Sequence, residues 1–249
     1  MRTQERTVRT LERRLEQRAL KVLELQQDWV IEKMQRFFKR ENTIEAQVEE
    51  TISQLPNKKQ MMEVIMASIY AAMKQASDGI IRELKLSSLG FSFDINMDAQ
   101  ANLYFQQKLS HELSNKDGTI HQTTIDSIVS VITDAVRTGK SYQDAANQIL
   151  DLGVFSPARA QLIAVQEIGQ AYGQGQHITM QGFITKTGRL VEKKWSTVGD
   201  DRVRASHKAN EADGWKDFSQ GFSGTGEEFA PSADFRCRCT TQYRVPKNT

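Results

Sequence analysis

Residues 194–207 read KWSTVGDDRVRASH, and residues 237–239 read CRC. Both cysteines of the chain lie in the second stretch, thirty residues after His207. On an extended chain Cys237 and Cys239 face the same side, so both sulfurs can point at one ion while Arg238 points away. Cysteines this close cannot easily form a relaxed disulfide with each other, which leaves free thiols or metal ligands.

Two thiolates and an imidazole are donors that suit zinc, so His207, Cys237 and Cys239 are candidate zinc ligands. A structural zinc site normally has four protein ligands, and the sequence leaves the fourth open. The candidates for it are Asp201, Asp200, Asp213, His177 and water. In the alternative interpretation the cysteines are small apolar residues on the inner face of a strand, and His207 is hydrogen-bonded to a nearby acid such as Asp201.

The composition excludes a global electrostatic argument for nucleic acid or membrane, because the formal net charge of the 249 residues is only +2. The first 21 residues carry seven Lys and Arg against three Glu, a local excess typical of a solvated surface. No run of about 18 apolar residues and no apolar signal segment occurs. We therefore expect a protein without membrane contact, made in a cytoplasm.

Glycine is distributed unevenly along the chain. None precedes Gly79, whereas seven of the fifteen lie from Gly182 onward, which predicts helices first and loops and strands last. The predicted fold class is mainly α, with a helical bundle followed by a small C-terminal α+β module. We predict a long amphipathic helix over 1–55 that serves as a docking or coiled-coil segment, a helical domain over 56–182, and the α+β module over 183–249.

The helical part carries several local signals. Leu11, Leu15, Val22, Leu25 and Trp29 recur at helical spacing and predict an amphipathic helix of roughly forty residues, packed either within this chain or against a partner. The segment 57–84 is apolar nearly all round, which predicts a buried helix. Further helices are predicted over 125–136, over 142–152 after the cap Ser141, and from Pro157 to Gly173 or Gln181.

The C-terminal module is predicted to begin with a β-hairpin. Its strands are 183–185 and 190–195, around a turn at Thr187-Gly188. A short helix that holds Arg204 and His207 follows, then a Gly- and Phe-rich loop over 214–230 and a strand over 238–245.

Taken together, the order and intervals of these residues resemble the phage Mu F-like minor head protein family, over about residues 156–245. The residues that carry the resemblance are Trp195, Thr197, Asp200, Val203, Arg204, His207, Phe229, Pro231, Cys237, Arg238 and Cys239. Arg236 stands where the family usually has Asn.

The resemblance implies a role in phage head morphogenesis. The expected protein is a minor capsid protein in few copies, inside the prohead at the portal vertex, acting in head assembly and in DNA packaging or ejection. Its expected partners are the portal protein and either the scaffold or the major capsid protein. The expected location is the interior of the virion, after synthesis in the host cytoplasm.

Two further readings stay open. Basic residues of the C-terminal module are candidates for non-specific contact with DNA phosphates, although nine acidic residues share that segment. These basic residues are Lys193, Lys194, Arg202, Arg204, Arg236 and Arg238. No phosphate loop, His-Glu-x-x-His or nucleophile elbow is present, so we predict that the protein is not an enzyme. The alternative is a metal-dependent nuclease or toxin-like enzyme in the C-terminal module.

Overall fold

The structure is a computed structural model that describes residues 2–37, 45–113, 120–138, 140–231 and 237–246. It confirms the predicted fold class, because helices make up most of the chain and a small sheet lies near its C-terminal end. The α-helices are α1 (Arg2–Phe37), α2 (Glu45–Ser53), α3 (Lys58–Glu83), α4 (Ala99–Leu113), α5 (Ile120–Thr138), α6 (Tyr142–Asp151), α7 (Pro157–Thr187) and α8 (Ala205–Ala212). The strands are β1 (Glu192–Ser196), β2 (Lys216–Asp217) and β3 (Thr240–Arg244).

Helix α1 buries its apolar stripe within this chain. Leu15, Ala19 and Val30 are fully buried, and the side chain of Gln26 donates a hydrogen bond of 2.9 Å to the carbonyl of Pro56. Leu25, which the sequence placed on this stripe, is instead 49% exposed. The stripe is therefore occupied by contacts inside the chain, and the outer surface of α1 that remains is mostly charged.

The starts of α6 and α7 are set by local sequence, as predicted. Ser141 and Asp144 form a reciprocal capping box at the start of α6. The hydroxyl of Ser156 accepts the amide of Arg159 at 3.2 Å, and Pro157 takes the first helical position of α7, where no amide donor is needed. Gly139, the predicted end of the preceding helix, lies outside the described residues.

Helix α7 is longer than predicted and continues through Thr187, so the predicted ends at Gly173 or Gln181 are wrong. Its glycines allow close approach instead of ending the helix. A Cβ on Gly173 would lie 2.4 Å from the carbonyl oxygen of Ala230, and one on Gly175 would lie 2.6 Å from that of Met73. Such contacts need a residue without a Cβ, even at the cost of helix propensity.

The predicted β-hairpin is also wrong, because residues 183–185 belong to α7. Phe183 is fully buried and meets the ring of Phe91 edge-on, with 5.3 Å between ring centroids. The aromatic and β-branched residues that suggest a strand serve here as the apolar face of a helix. They form a core cluster with Ile80, Met180 and Tyr243.

The three strands form an antiparallel sheet in the order β2-β1-β3. Strand β1 is central: Trp195 lies opposite Thr241 in β3, and Lys193 lies opposite Lys216 in β2. The sheet therefore joins residues from three separate parts of the C-terminal segment.

Two compact units divide the chain, and their segments alternate along the sequence. The first unit comprises residues up to Leu11, Ser68–Tyr104 and the chain from Val165 onward. The second comprises Glu12–Ala67 and Phe105–Ala164. The three-part organisation over 1–55, 56–182 and 183–249 remains a sequence-based prediction.

The close approach at Gly175 gives a stability prediction. Replacing Gly175 by Ala is expected to lower the free energy of unfolding by roughly 1–3 kcal/mol, because the new methyl group overlaps backbone atoms of Met73 that cannot move alone. Denaturant unfolding of the purified full chain measures the change.

Gly79 in α3 supplies the matched control. A Cβ there meets only the hydroxyl of Tyr172 at 3.4 Å, so Gly79→Ala is expected to raise the free energy of unfolding by up to about 1 kcal/mol through helix propensity. Equal effects of the two substitutions would contradict the close-approach interpretation.

Candidate metal centre

Helix α8 and the chain entering β3 position the three residues predicted to bind metal. The amide of His207 donates to the carbonyl of Arg204 at 3.1 Å, in the first turn of α8. Arg204 is therefore the N-cap residue of α8 and lies one position before the helix that was predicted to hold it. Cys237 and Cys239 directly precede β3, whose pairing of Thr240 with Ser196 fixes this end of the strand against β1.

The structure brings His207, Cys237 and Cys239 together. The Nδ1 atom of His207 lies 3.7 Å from the Sγ of Cys237 and 3.5 Å from the Sγ of Cys239. Their ligand atoms all lie within 4.8 Å of one another, and the exposed fractions of the three residues are 2%, 7% and 5%. Residues that are thirty positions apart in sequence thus converge on one buried point.

Aromatic side chains enclose this His/Cys/Cys cluster. The fully buried ring of Trp195 lies 5.4 Å from the imidazole of His207 and 5.1 Å from the ring of Phe222, between centroids. The indole Nε1 of Trp195 is buried, and no acceptor in the described part of the chain meets it with normal hydrogen-bond geometry.

The environment favours neutral thiols where no ion is bound. The hydrogen bond with Cys237 and then burial raise the pKa of the Cys239 thiol well above its ordinary value, while the indole of Trp195 acts weakly in the opposite direction. A thiolate here therefore needs a cation to compensate its burial.

Polar side chains of α8 fix the surrounding loop. The carboxylate of Glu211 accepts the amide of Thr197 at 2.9 Å and its hydroxyl at 2.7 Å. The buried Asn210 accepts the amide of Gly224 at 2.8 Å and donates to the hydroxyl of Thr225 at 2.9 Å. The sequence prediction missed Asn210, although its i+3 spacing from His207 was an available signal.

Asp213 anchors the same loop. It accepts the amide and the hydroxyl of Ser223 at 2.8 and 2.6 Å and pairs with Lys216 at 2.9 Å. Burial opposes ionisation of this carboxyl, but the bonds from Ser223 and Lys216 lower its pKa to about 2. The carboxylate of Asp213 is therefore ionised and already bound by Ser223 and Lys216.

The other predicted fourth ligands are also engaged or distant. Asp201 is exposed and does not belong to the cluster. Asp200 pairs with Arg238 at 2.6 Å, and His177 pairs with Glu228 at 3.2 Å. Within the described residues, the cluster therefore has three candidate protein ligands.

The structure buries one member of the predicted DNA-contact set. Lys193 is fully buried, and its ammonium donates to the carbonyl of Glu228 at 2.7 Å, so it cannot reach a phosphate. Its ammonium also lies 5.3 Å from the ring centroids of both Phe218 and Phe222. Placing Lys193 on a DNA-binding surface was therefore wrong: the alternation along β1 turns it inward together with Trp195.

The remaining members of that set lie in different surroundings. Arg202 and Arg204 are exposed, and Lys194 is half-buried. Arg238 is engaged by Asp200. Arg236 lies outside the described residues.

Fold and cluster together define a mainly helical protein whose small terminal sheet module carries a buried His/Cys/Cys cluster. Residues 126–242 match the model of the family described as Phage Mu protein F like protein. This match supports the family predicted from the sequence, over a segment that makes up somewhat less than half of the chain. It begins in α5, upstream of the resemblance detected by residue pattern. No curated protein and no solved structure is significantly similar to the chain.

The family suggests a phage head morphogenesis protein and therefore a component of the virion. In the described part of the chain, none of the helices combines the length and the apolar character needed to cross a membrane.

Burial of Lys193 gives a prediction about pH. Burial lowers the pKa of this ammonium to about 8 from its ordinary 10.5, against the opposing charge of Glu228. Between these two pH values the unfolded state binds more protons than the folded state, so the contribution of Lys193 to stability rises with pH. Lys193→Met is expected to lack this contribution. The free energy of unfolding of both proteins, measured from pH 7 to pH 10.5, tests this, and a difference that stays constant with pH contradicts it.

Proposed function

We propose that the protein is a minor head protein that acts at the portal vertex inside the prohead, in head assembly and in DNA packaging or ejection. The observation that carries the proposal is the family match over residues 126–242, which includes the buried His/Cys/Cys cluster. The portal protein is the proposed main partner, with scaffold or major capsid protein as further contacts. The apolar stripe of α1 is buried within the chain, so the proposed docking uses polar outer surfaces.

We also propose that the C-terminal module is not an enzyme. Of the near-helical set Asp201, Arg204, His207 and Glu211, only His207 belongs to the cluster. The carboxylate of Glu211 is held by Thr197. A buried cluster with an aromatic wall supports a structural role better than a role in DNA cleavage.

Few copies per particle are expected. Particles purified from an induced culture, treated with protease and analysed by quantitative mass spectrometry, should contain the chain in numbers comparable to the portal subunits, protected from the protease. Particles lacking the gene should retain a normal shell but show a reduced infectious titre. Absence of the chain from particles, or copy numbers near those of the major capsid protein, contradicts the proposal.

The proposed contact with DNA lies on α1. Arg13, Arg14, Arg18 and Lys21 are all exposed, and in the described part of the chain none of them has a carboxylate partner. At 100° per residue these four cations fall within an arc of about 140°, so they face one side. Arginine suits phosphate because its guanidinium offers a rigid fork of donors. We call these four residues the basic face of α1.

Replacing all four residues of the basic face by Gln is expected to weaken binding to duplex DNA, independently of its sequence. A cation that neutralises one phosphate contributes a slope of about −0.9 in log K against log salt, so the magnitude of the slope should fall by up to about 3.6. Fluorescence anisotropy of labelled duplex DNA over a series of salt concentrations measures both quantities.

The matched control is Arg202→Gln with Lys208→Gln, two exposed cations of the C-terminal module. This control should leave the affinity for DNA and the salt slope close to those of the parent chain. A larger loss in the control locates the contact in the C-terminal module. Unchanged DNA binding by the α1 variant, together with lost binding to the portal protein, identifies the basic face as a protein-docking surface.

A further inference from the structure

We propose that His207, Cys237 and Cys239 bind one zinc ion through Nδ1 and the two sulfurs, and that this ion closes the C-terminal module. The proposal goes beyond the head function and does not depend on it. It stands on two observations: the distances between the ligand atoms of the buried cluster, and the buried indole N–H of Trp195 beside it.

The distances within the cluster suit a tetrahedral ion. Zinc–sulfur bonds of about 2.3 Å and zinc–nitrogen bonds of about 2.05 Å at the tetrahedral angle place nitrogen and sulfur about 3.6 Å apart. The observed distances from Nδ1 of His207 are 3.7 Å to Cys237 and 3.5 Å to Cys239. Both observed nitrogen–sulfur distances therefore already match the separation expected between two ligands of one tetrahedral zinc ion.

Trp195 supplies an independent observation. Its side chain is fully buried, and its Nε1 has no acceptor of normal geometry in the described part of the chain. Trp195 belongs to the same buried cluster as Cys237 and Cys239. A neutral thiol is a weak acceptor, whereas a metal-bound thiolate accepts an N–H well, as outer-shell donors do in metal sites.

The three ligands found among the described residues leave one position of a tetrahedral zinc to be filled by water or by a further group. The surroundings argue that the ion is structural, because Trp195 and Phe222 enclose the cluster and its three ligands are nearly fully buried. A module with so small a sheet gains more from a bound ion than a large core would. The ion would join α8 to the chain that enters β3.

The first test uses the purified full chain in reducing buffer. Elemental analysis is expected to find one zinc per chain, and both thiols should react slowly with a thiol reagent until the ion is chelated. Substitution by cobalt(II) should give the visible spectrum of a tetrahedral ion and a charge-transfer band whose intensity corresponds to two thiolates. A chain that binds neither zinc nor cobalt(II) at micromolar concentrations, with two freely reactive thiols, overturns the proposal.

Variants locate the site. Cys239→Ser and His207→Gln are expected to weaken zinc binding by more than roughly a hundredfold, beyond the range for outer-shell changes, whereas Lys208→Ala on the exposed side of α8 should leave it unchanged. Retention of full affinity by both ligand variants places any bound zinc elsewhere and overturns the proposal. If a variant does not fold, the cobalt(II) spectrum of the parent chain serves as the test. A charge-transfer band that corresponds to two thiolates supports the site, and a band without thiolate character overturns it.

Trp195→Phe tests the outer-shell donor, because it keeps an aromatic ring and removes only the N–H. Zinc affinity is expected to fall roughly tenfold, and the thiolate-to-cobalt band should shift. A loss of thermal stability with an unchanged band gives Trp195 a packing role alone and overturns this part of the proposal.

Discussion

The pairing of β1 with β3 is the constraint on which the C-terminal module depends. Five residues of β1 are matched by five of β3, and side-chain alternation turns Lys193 and Trp195 to the inner face of the sheet. The same pairing holds the chain just before Thr240 beside α8, so the sulfurs of Cys237 and Cys239 meet His207. The pairing of two five-residue strands thus positions both the buried side chain of Trp195 and the His/Cys/Cys cluster beside it.

The glycines of α7 connect this module to the helical part of the first unit. Because Gly173 has no side chain, the backbone at Ala230 can lie against α7. The amide of Ala230 in turn donates to the hydroxyl of Thr241 in β3 at 2.6 Å. Helix, loop and strand are therefore joined through one close backbone approach and one hydrogen bond from a backbone amide to the short side chain of Thr241.

Helix-capping residues and the spacing of possible ligands predicted parts of the structure correctly, whereas predictions from a short apolar run and from charge were overruled by tertiary packing. The cap at Ser141 and the start at Pro157 follow from local chemistry. The strand assigned to 183–185 failed because a short apolar run fits a buried helix equally well. The spacing of His207 and the two cysteines predicted their convergence, but burial of Lys193 could not be predicted, because charge favours the surface unless tertiary packing overrides it.

The alternation of the two units along the sequence sets an order for folding during synthesis. Every segment of the second unit has been translated once Ala164 is added, whereas the first unit still lacks β3 until Arg244. At 5–20 residues per second, roughly 4–16 s separate these two points. During that interval the ribosome carries residues 68–104 without the strands that complete their unit, so a nascent chain is exposed to aggregation before the His/Cys/Cys cluster can form.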